Sequence, residues 1–341
     1  MKLCIYGCGS MGTILGAFLS RAGHKVDLVD SYAEHVEALN RDGARVVGAA
    51  EFSTPVRALS PDCMDGGYDV VFLMTKQHEN RTVAGKLAGR LAPGGVVCTM
   101  QNGLPERALA EVLGSDRVAG CALGWGATFR GPGVSELTSE PDALTFHLGS
   151  EGVPAEKLED IAGVLRSMGE VRVEPNFMGA RWSKLLINAA LSGMSAVLGS
   201  TFGEAVANPR SRVFVQRLIK ECIDVAKAGG IRIEPVQGKD VARLFDYRGP
   251  VKRAFGFLLL PFAIRKHRSL RASMLQDLEK GRPCEIDAIN GAVCAEGRRL
   301  GVATPVNDRV VAIIRSIEAG ERGPAWANLE LFGRTIATAG K

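Results

Sequence analysis

Residues 181–192 read Arg-Trp-Ser-Lys-Leu-Leu-Ile-Asn-Ala-Ala-Leu-Ser, and three polar side chains recur there every fourth position: Lys184, Asn188 and Ser192. On an α-helix that spacing lines them along one face. Most of their neighbours are apolar. A lysine set in such a helix, with an amide and a hydroxyl beside it, suits a proton donor, because partial burial lowers an ammonium pKa toward neutrality. The blander reading is a surface lysine on an ordinary helix.

Further candidates follow apolar runs that predict strands. Lys76 comes just after Phe72-Leu73-Met74-Thr75, Asn102 just after Val97-Cys98-Thr99-Met100, and Asp30 closes the run 25–29. Open α/β sheets bind ligands beyond the carboxyl ends of their strands, which is where these residues fall. Each also has a plain alternative: a solvated loop lysine, an Asn-Gly turn, and a cap for the helix expected near Ala33. Glu285, in Gly281-Arg282-Pro283-Cys284-Glu285-Ile286-Asp287, stands where a helix is expected to begin. An acid there also complements the helix dipole. Asp287 has that role alone and is left out of the site.

The elements that must position these groups start at the first residues. Lys2 to Tyr6 predicts a short buried strand that runs into Gly7-Cys8-Gly9-Ser10-Met11-Gly12. Met11, Ile14, Leu15, Phe18 and Leu19 then fall on one helical face, and Gly23-His24 ends that helix before a second strand. Between a strand and a helix, Gly7-x-Gly9-x-x-Gly12 is a dinucleotide-binding loop, with Cys8, Ser10 and Met11 completing it. Gly7 allows the tight turn, Gly9 lets a pyrophosphate approach the backbone, and Gly12 lets helix pack on strand. The helix N-terminus then offers N–H groups and a positive dipole end. Asp30, at the tip of the second strand, can accept hydrogen bonds from the adenosine ribose hydroxyls.

The first half goes on alternating. Helices are expected at 33–40, 79–91 and 105–113, and strands at 69–74, 96–100 and 118–123, with Pro93-Gly94-Gly95 as a turn. Repeated βα units imply a parallel, doubly wound sheet. Residues 134–137 and 144–148 look antiparallel. From about residue 176 the pattern becomes helical, at 179–198, 203–228, 285–300 and 306–319. The expected fold class is α/β: a Rossmann-type dinucleotide-binding domain over residues 1–178 and an all-helical domain over 179–341.

Bulk properties narrow the classes. With 341 residues the chain is long enough for two domains. No apolar run approaches the roughly 20 residues of a membrane span, and no leader peptide is expected, because residues 2–6 enter the fold at once. Eight cysteines without a Cys-x-x-Cys pair read as reduced thiols, hence a cytoplasmic protein. The histidines are scattered, so no metal site is expected. The net charge of +5 is local: 248–271 holds seven Lys/Arg and no acid, and without them the balance is slightly negative. Nucleic acid is therefore not an expected partner.

In order and spacing, Gly7–Gly12, Thr75-Lys76, Gln101-Asn102-Gly103, Arg181–Asn188 and Ser273–Asp287 resemble the ketopantoate reductase (2-dehydropantoate 2-reductase) family over nearly the whole chain. The resemblance implies a Rossmann domain and a helical domain with the active site in the cleft between them. It makes Lys184 the catalytic lysine, Asn188 a substrate-binding asparagine, Lys76 and Asn102 residues at nicotinamide and substrate, Ser273 a serine that holds substrate, and Glu285 the glutamate that closes the site. It implies NAD(P)H-dependent reduction of a 2-oxo acid, with 2-dehydropantoate as the leading substrate in pantothenate and coenzyme A biosynthesis. A different 2-oxo acid on the same scaffold, or a dinucleotide sensor without turnover, are the alternatives; a homodimer fits as the assembly.

The chain departs from the family in three places. Ser192 replaces a second asparagine, shortening the reach of a substrate-facing group. Asp30-Ser31 stands where NADPH-using members place a base; a carboxylate repels a 2′-phosphate, so NADH is expected to serve at least as well. Residues 248–271 look like an insertion, pairing the apolar stretch Phe255–Ile264 with basic flanks. An oligomer contact or a lid is favoured for it over a membrane surface or other partner.

Overall fold

The structure, a computed structural model, describes residues 1–236 and 238–333; 334–341, the end of the expected helical domain, lie outside them. The chain forms two units: Met1–Gln101 with Pro105–Phe177, and Asn102–Leu104 with the chain from Met178 onward.

The first unit is built on β1 (Leu3–Tyr6), whose four residues are all buried. Leu3 and Ile5 enter one hydrophobic cluster, Cys4 and Tyr6 another. Burial on both faces is what a parallel strand between two helical layers requires. The other strands are β2 (Val26–Val29), β3 (Ala44–Gly48), β4 (Phe52–Thr54), β5 (Arg57–Leu59), β6 (Tyr68–Leu73), β7 (Leu91–Thr99), β8 (Val118–Leu123), β9 (Ala127–Gly131), β10 (Val134–Leu137), β11 (Thr145–Gly149) and β12 (Glu170–Val173). The main sheet runs β12-β11-β8-β7-β6-β1-β2-β5. It is parallel from β5 through β8; β11 pairs antiparallel with β8, and β12 runs parallel to β11. Chain order reverses between β1 and β6, the switch point at which doubly wound sheets bind ligands.

Helices α1 (Ser10–Arg21) and α5 (Ala155–Leu165) serve one face of this sheet, and α3 (Asn80–Ala88) and α4 (Glu106–Leu113) the other. The connection α2 (Ala33–Asp42) leads to a second sheet, β4-β3-β10-β9, which packs on α1. The strands at 134–137 and 144–148 are thus not partners. β10 pairs antiparallel with β9, and β11 with β8, in different sheets. Pro93-Gly94-Gly95 is also not a separate turn. It lies inside β7, where the register shifts opposite Tyr68 and a Cβ on Gly95 would come 2.5 Å from the Tyr68 carbonyl.

The second unit is helical, around the 20-residue α9 (Pro209–Ala228). It contains α6 (Phe177–Ile187), a π-helical turn (Asn188–Ser192), α7 (Gly193–Leu198), α8 (Phe202–Ala207), α10 (Val241–Phe245), α11 (Pro250–Ala263), α12 (Ser273–Glu279), α13 (Asn290–Leu300) and α14 (Pro305–Glu318). Two expected helices are broken. Asn208-Pro209 separates α8 from α9, since proline disfavours helix in the residue before it while suiting a first turn. The run 179–198 is interrupted by the π turn. The helix expected from Glu285 begins five residues later, at Asn290, so Glu285 lies in the preceding turn and complements no dipole.

Candidate active site

At the carboxyl end of β1, three glycines answer to three different constraints. Gly7 has φ +97°, and a Cβ there would lie 2.7 Å from the Thr75 backbone nitrogen. On Gly12 a Cβ would lie 2.5 Å from the Gly7 carbonyl oxygen, so α1 could not close onto β1. On Gly9 a Cβ would meet no atom within 4 Å. No atom of the fold would meet a side chain there, which leaves room for a ligand to approach the backbone, as a pyrophosphate would. Gly9 caps α1 without any side-chain cap bond, which leaves the first-turn N–H groups to such an anion. The loop therefore fits a nicotinamide dinucleotide.

Sequence reasoning missed what holds this loop. The Cys8 carbonyl accepts from Thr13 Oγ1 (2.8 Å) and from His35 Nε2 (2.7 Å). His35 is 1% exposed, and its Nδ1 accepts the Gly133 N–H at 2.9 Å, which leaves Nε2 as the nitrogen that donates to Cys8. Asp30 is half-buried beyond β2, and its Oδ1 accepts the Tyr32 N–H at 2.9 Å. Tyr32, not Asp30, is the N-cap of α2.

Beyond β6 and β7 a buried amide cluster joins two loops. Gln101 Nε2 donates to the Thr75 carbonyl (2.7 Å) and to Asn80 Oδ1 (2.8 Å). Asn80 Nδ2 and Thr99 Oγ1 both donate to Gln101 Oε1. Gln101 is thereby the strut of the Thr75-Lys76 loop rather than part of a simple turn. Its signal was a glutamine directly after a buried strand. Lys76 is half-buried at the end of that loop.

In the second unit, Asn102 Nδ2 donates to Glu285 Oε2 at 3.0 Å, joining two residues 183 apart in the chain. Lys184 is half-buried near the end of α6 and Asn188 opens the π turn, while Ser192, which closes it, is 7% exposed. Four residues of α-helix drift about 40° around the axis; a π turn, with i→i+5 hydrogen bonds, winds less per residue and takes that drift back. The turn therefore returns Ser192 toward the side of Lys184. Ser273 is exposed at the first position of α12, which packs against the π turn and α7. Asp287 is outside this group, paired with Arg315 at 2.7 Å. Among the described residues no acidic, cysteine and histidine cluster could hold a metal ion, and no helix is long and apolar enough to cross a membrane.

A doubly wound sheet with this loop at its switch point, joined to a helical unit bearing Lys184, defines an NAD(P)-dependent oxidoreductase acting on a CH–OH group. The ketopantoate reductase PanE/ApbA family model matches residues 3–150, and the ketopantoate reductase PanE/ApbA C-terminal model matches 176–318. The chain belongs to the ketopantoate reductase family. Relatives named 2-dehydropantoate 2-reductase include one from Archaeoglobus fulgidus, 29% identical over 94% of this chain and 98% of its own length. Another, from Mesorhizobium japonicum, is 29% identical over 95% and 99%. A PanE/ApbA family ketopantoate reductase from Ralstonia eutropha has a similar structure, with a TM-score of 0.80 and 26% identity over 94% of this chain and 99% of that one. A D-mandelate dehydrogenase solved with NADH and anilino(oxo)acetate shares the fold, with a TM-score of 0.79 and 22% identity over 94% and 99%.

Proposed function

We propose that the protein reduces a 2-oxo acid to the 2-hydroxy acid, with 2-dehydropantoate the leading substrate and pantothenate and coenzyme A biosynthesis the setting. The observation that carries this is the half-buried Lys184 one turn ahead of Asn188, whose side-chain amide has no hydrogen-bond partner among the described residues. A nicotinamide dinucleotide held at the glycine loop through its pyrophosphate would supply the hydride. Negative charge then develops on the substrate's carbonyl oxygen, and Lys184 Nζ donates the proton there. Asn188, Ser192 and Ser273 hold the substrate's polar groups. Asn102 orients substrate and nicotinamide, and Glu285 keeps the Asn102 amide in place through their hydrogen bond. Lys76, on the loop that Gln101 supports, would meet the cofactor.

A second reading keeps the chemistry and changes the acid. Ser192 has a shorter reach than asparagine, and the D-mandelate dehydrogenase neighbour was solved with a different 2-oxo compound. A sensor without turnover has no use for a half-buried proton donor. The Asp30 carboxylate favours the free ribose diol of NADH, because its second oxygen has no partner among the described residues. Eight free cysteines, seven of them buried, fit a cytoplasmic setting.

A homodimer fits α11. Val251, Phe255, Leu258 and Phe262 lie on one helical face at 83%, 56%, 62% and 71% exposure, enough apolar surface for a second copy to cover. The decisive assay follows cofactor oxidation over a panel of 2-oxo acids, with NADH and with NADPH. Turnover is expected on at least one acid. Tight cofactor binding with no turnover on any would sink the enzyme reading in favour of a sensor.

A further inference from the structure

We infer that Asn290 is a positioning residue for the substrate-binding turn, acting through the Ala189 carbonyl; this rests on the reading of Asn188 and Ser192 given above. A π turn leaves carbonyls out of their i→i+4 register, and such turns persist where something else holds them. Here Asn290 Nδ2 donates to the Ala189 carbonyl at 3.0 Å, from 101 residues away. Ala189 lies between Asn188 and Ser192, so this bond grips the turn from behind.

The amide's orientation is imposed by a chain of polar groups. Glu221 on α9 accepts the Val306 N–H (2.9 Å), the Asn307 N–H (3.0 Å) and Asn307 Nδ2 (2.7 Å), at the start of α14. A carboxylate only accepts, so the Asn307 NH₂ must face it and its Oδ1 must face away. That oxygen accepts the other Nδ2 hydrogen of Asn290 at 2.9 Å. Both donors of Asn290 are thus committed, and its amide cannot flip. Asn290 and Asn307 are fully buried, and the Asn290 Oδ1 has no partner, a cost the fold accepts. Gly193, directly after the turn, lets Asn290 approach: a Cβ there would lie 2.9 Å from Oδ1. Plain packing calls for none of this polarity.

The test compares Asn290→Leu, Glu221→Gln and Asn188→Ala. Asn290→Leu removes the grip, and Glu221→Gln removes only the pure acceptor that orients the relay. In folded Asn290→Leu enzyme, KM for the 2-oxo acid should rise about ten- to a hundred-fold while the cofactor dissociation constant stays at its wild-type value. Glu221→Gln should raise KM less, with the same selectivity, and it carries the test if Asn290→Leu does not fold. Loss of protein stability with KM unchanged, or equal weakening of cofactor and substrate, overturns the inference. If Asn188→Ala raises KM and neither supporting variant does, the positioning role alone fails. If Asn188→Ala also leaves KM unchanged, the site assignment beneath it fails too.

Discussion

The glycine loop after β1 and the Lys184–Ser192 segment are both expected to touch the reacting partners, yet they are specified in opposite ways. The loop works through backbone. Two of its glycines answer to backbone close by, Gly12 to the Gly7 carbonyl and Gly7 to Thr75 in the loop after the adjacent strand β6. The segment works through side chains whose bearing depends on a π turn, and groups on α9, α13 and α14 hold that turn. A local motif can be read from a string of residues. A helical face bent by remote hydrogen bonds cannot.

The largest effect should come from the segment. Lys184→Ala is expected to lower kcat about 10²- to 10⁴-fold, with cofactor affinity unchanged, as steady-state kinetics and a binding titration would register. Wild-type turnover in this variant removes the lysine from the chemistry and leaves the segment structural. Next, the loop should separate steric from ligand demands. Gly12→Ala should cost about 1–3 kcal/mol of stability, from the clash with the Gly7 carbonyl. Gly9→Ala meets no neighbouring atom, so it should cost less stability than Gly12→Ala yet weaken cofactor binding. Thermal melts with and without NADH distinguish them, and equal destabilisation would erase the contrast between the two glycines.

A smaller shift is expected at the tip of β2. Asp30→Ala should move the ratio of kcat/KM for NADPH over NADH upward by about tenfold, the size of a ~1.4 kcal/mol interaction. If the native enzyme already prefers NADPH strongly, Asp30 serves only its bond to the Tyr32 N–H. The smallest effect on folding lies farthest from both regions. Phe262→Asp on α11 should change stability by no more than about 0.5 kcal/mol while converting a dimer to a monomer in light scattering. An unchanged mass would show that α11 is not the contact.

Much of the first unit was legible because strand burial, helical period and glycine placement are local signals. The runs around β1, β2, β6 and β8 mark strands buried on both faces, and Gly7–Gly12 marks the turn between β1 and α1. The short strands β3, β4 and β5 were not legible, since three to five half-exposed residues carry little periodic signal. Gln101 and His35 also escaped notice. A buried amide or imidazole reveals its role only through partners such as Asn80 or Gly133, which the chain alone does not place beside it.

By itself the sequence determined the alternation of elements, the glycine loop between the first strand and helix, the acid after the second strand and which residues are proposed for the chemistry. Tertiary structure alone decided that Glu285 meets Asn102 from a turn rather than from a helix, and that the helix after Lys184 widens at Asn188. The reason is that propensity and period act over a few residues. A hydrogen bond between groups a hundred or more residues apart exists only once packing has excluded the water that would otherwise compete for it.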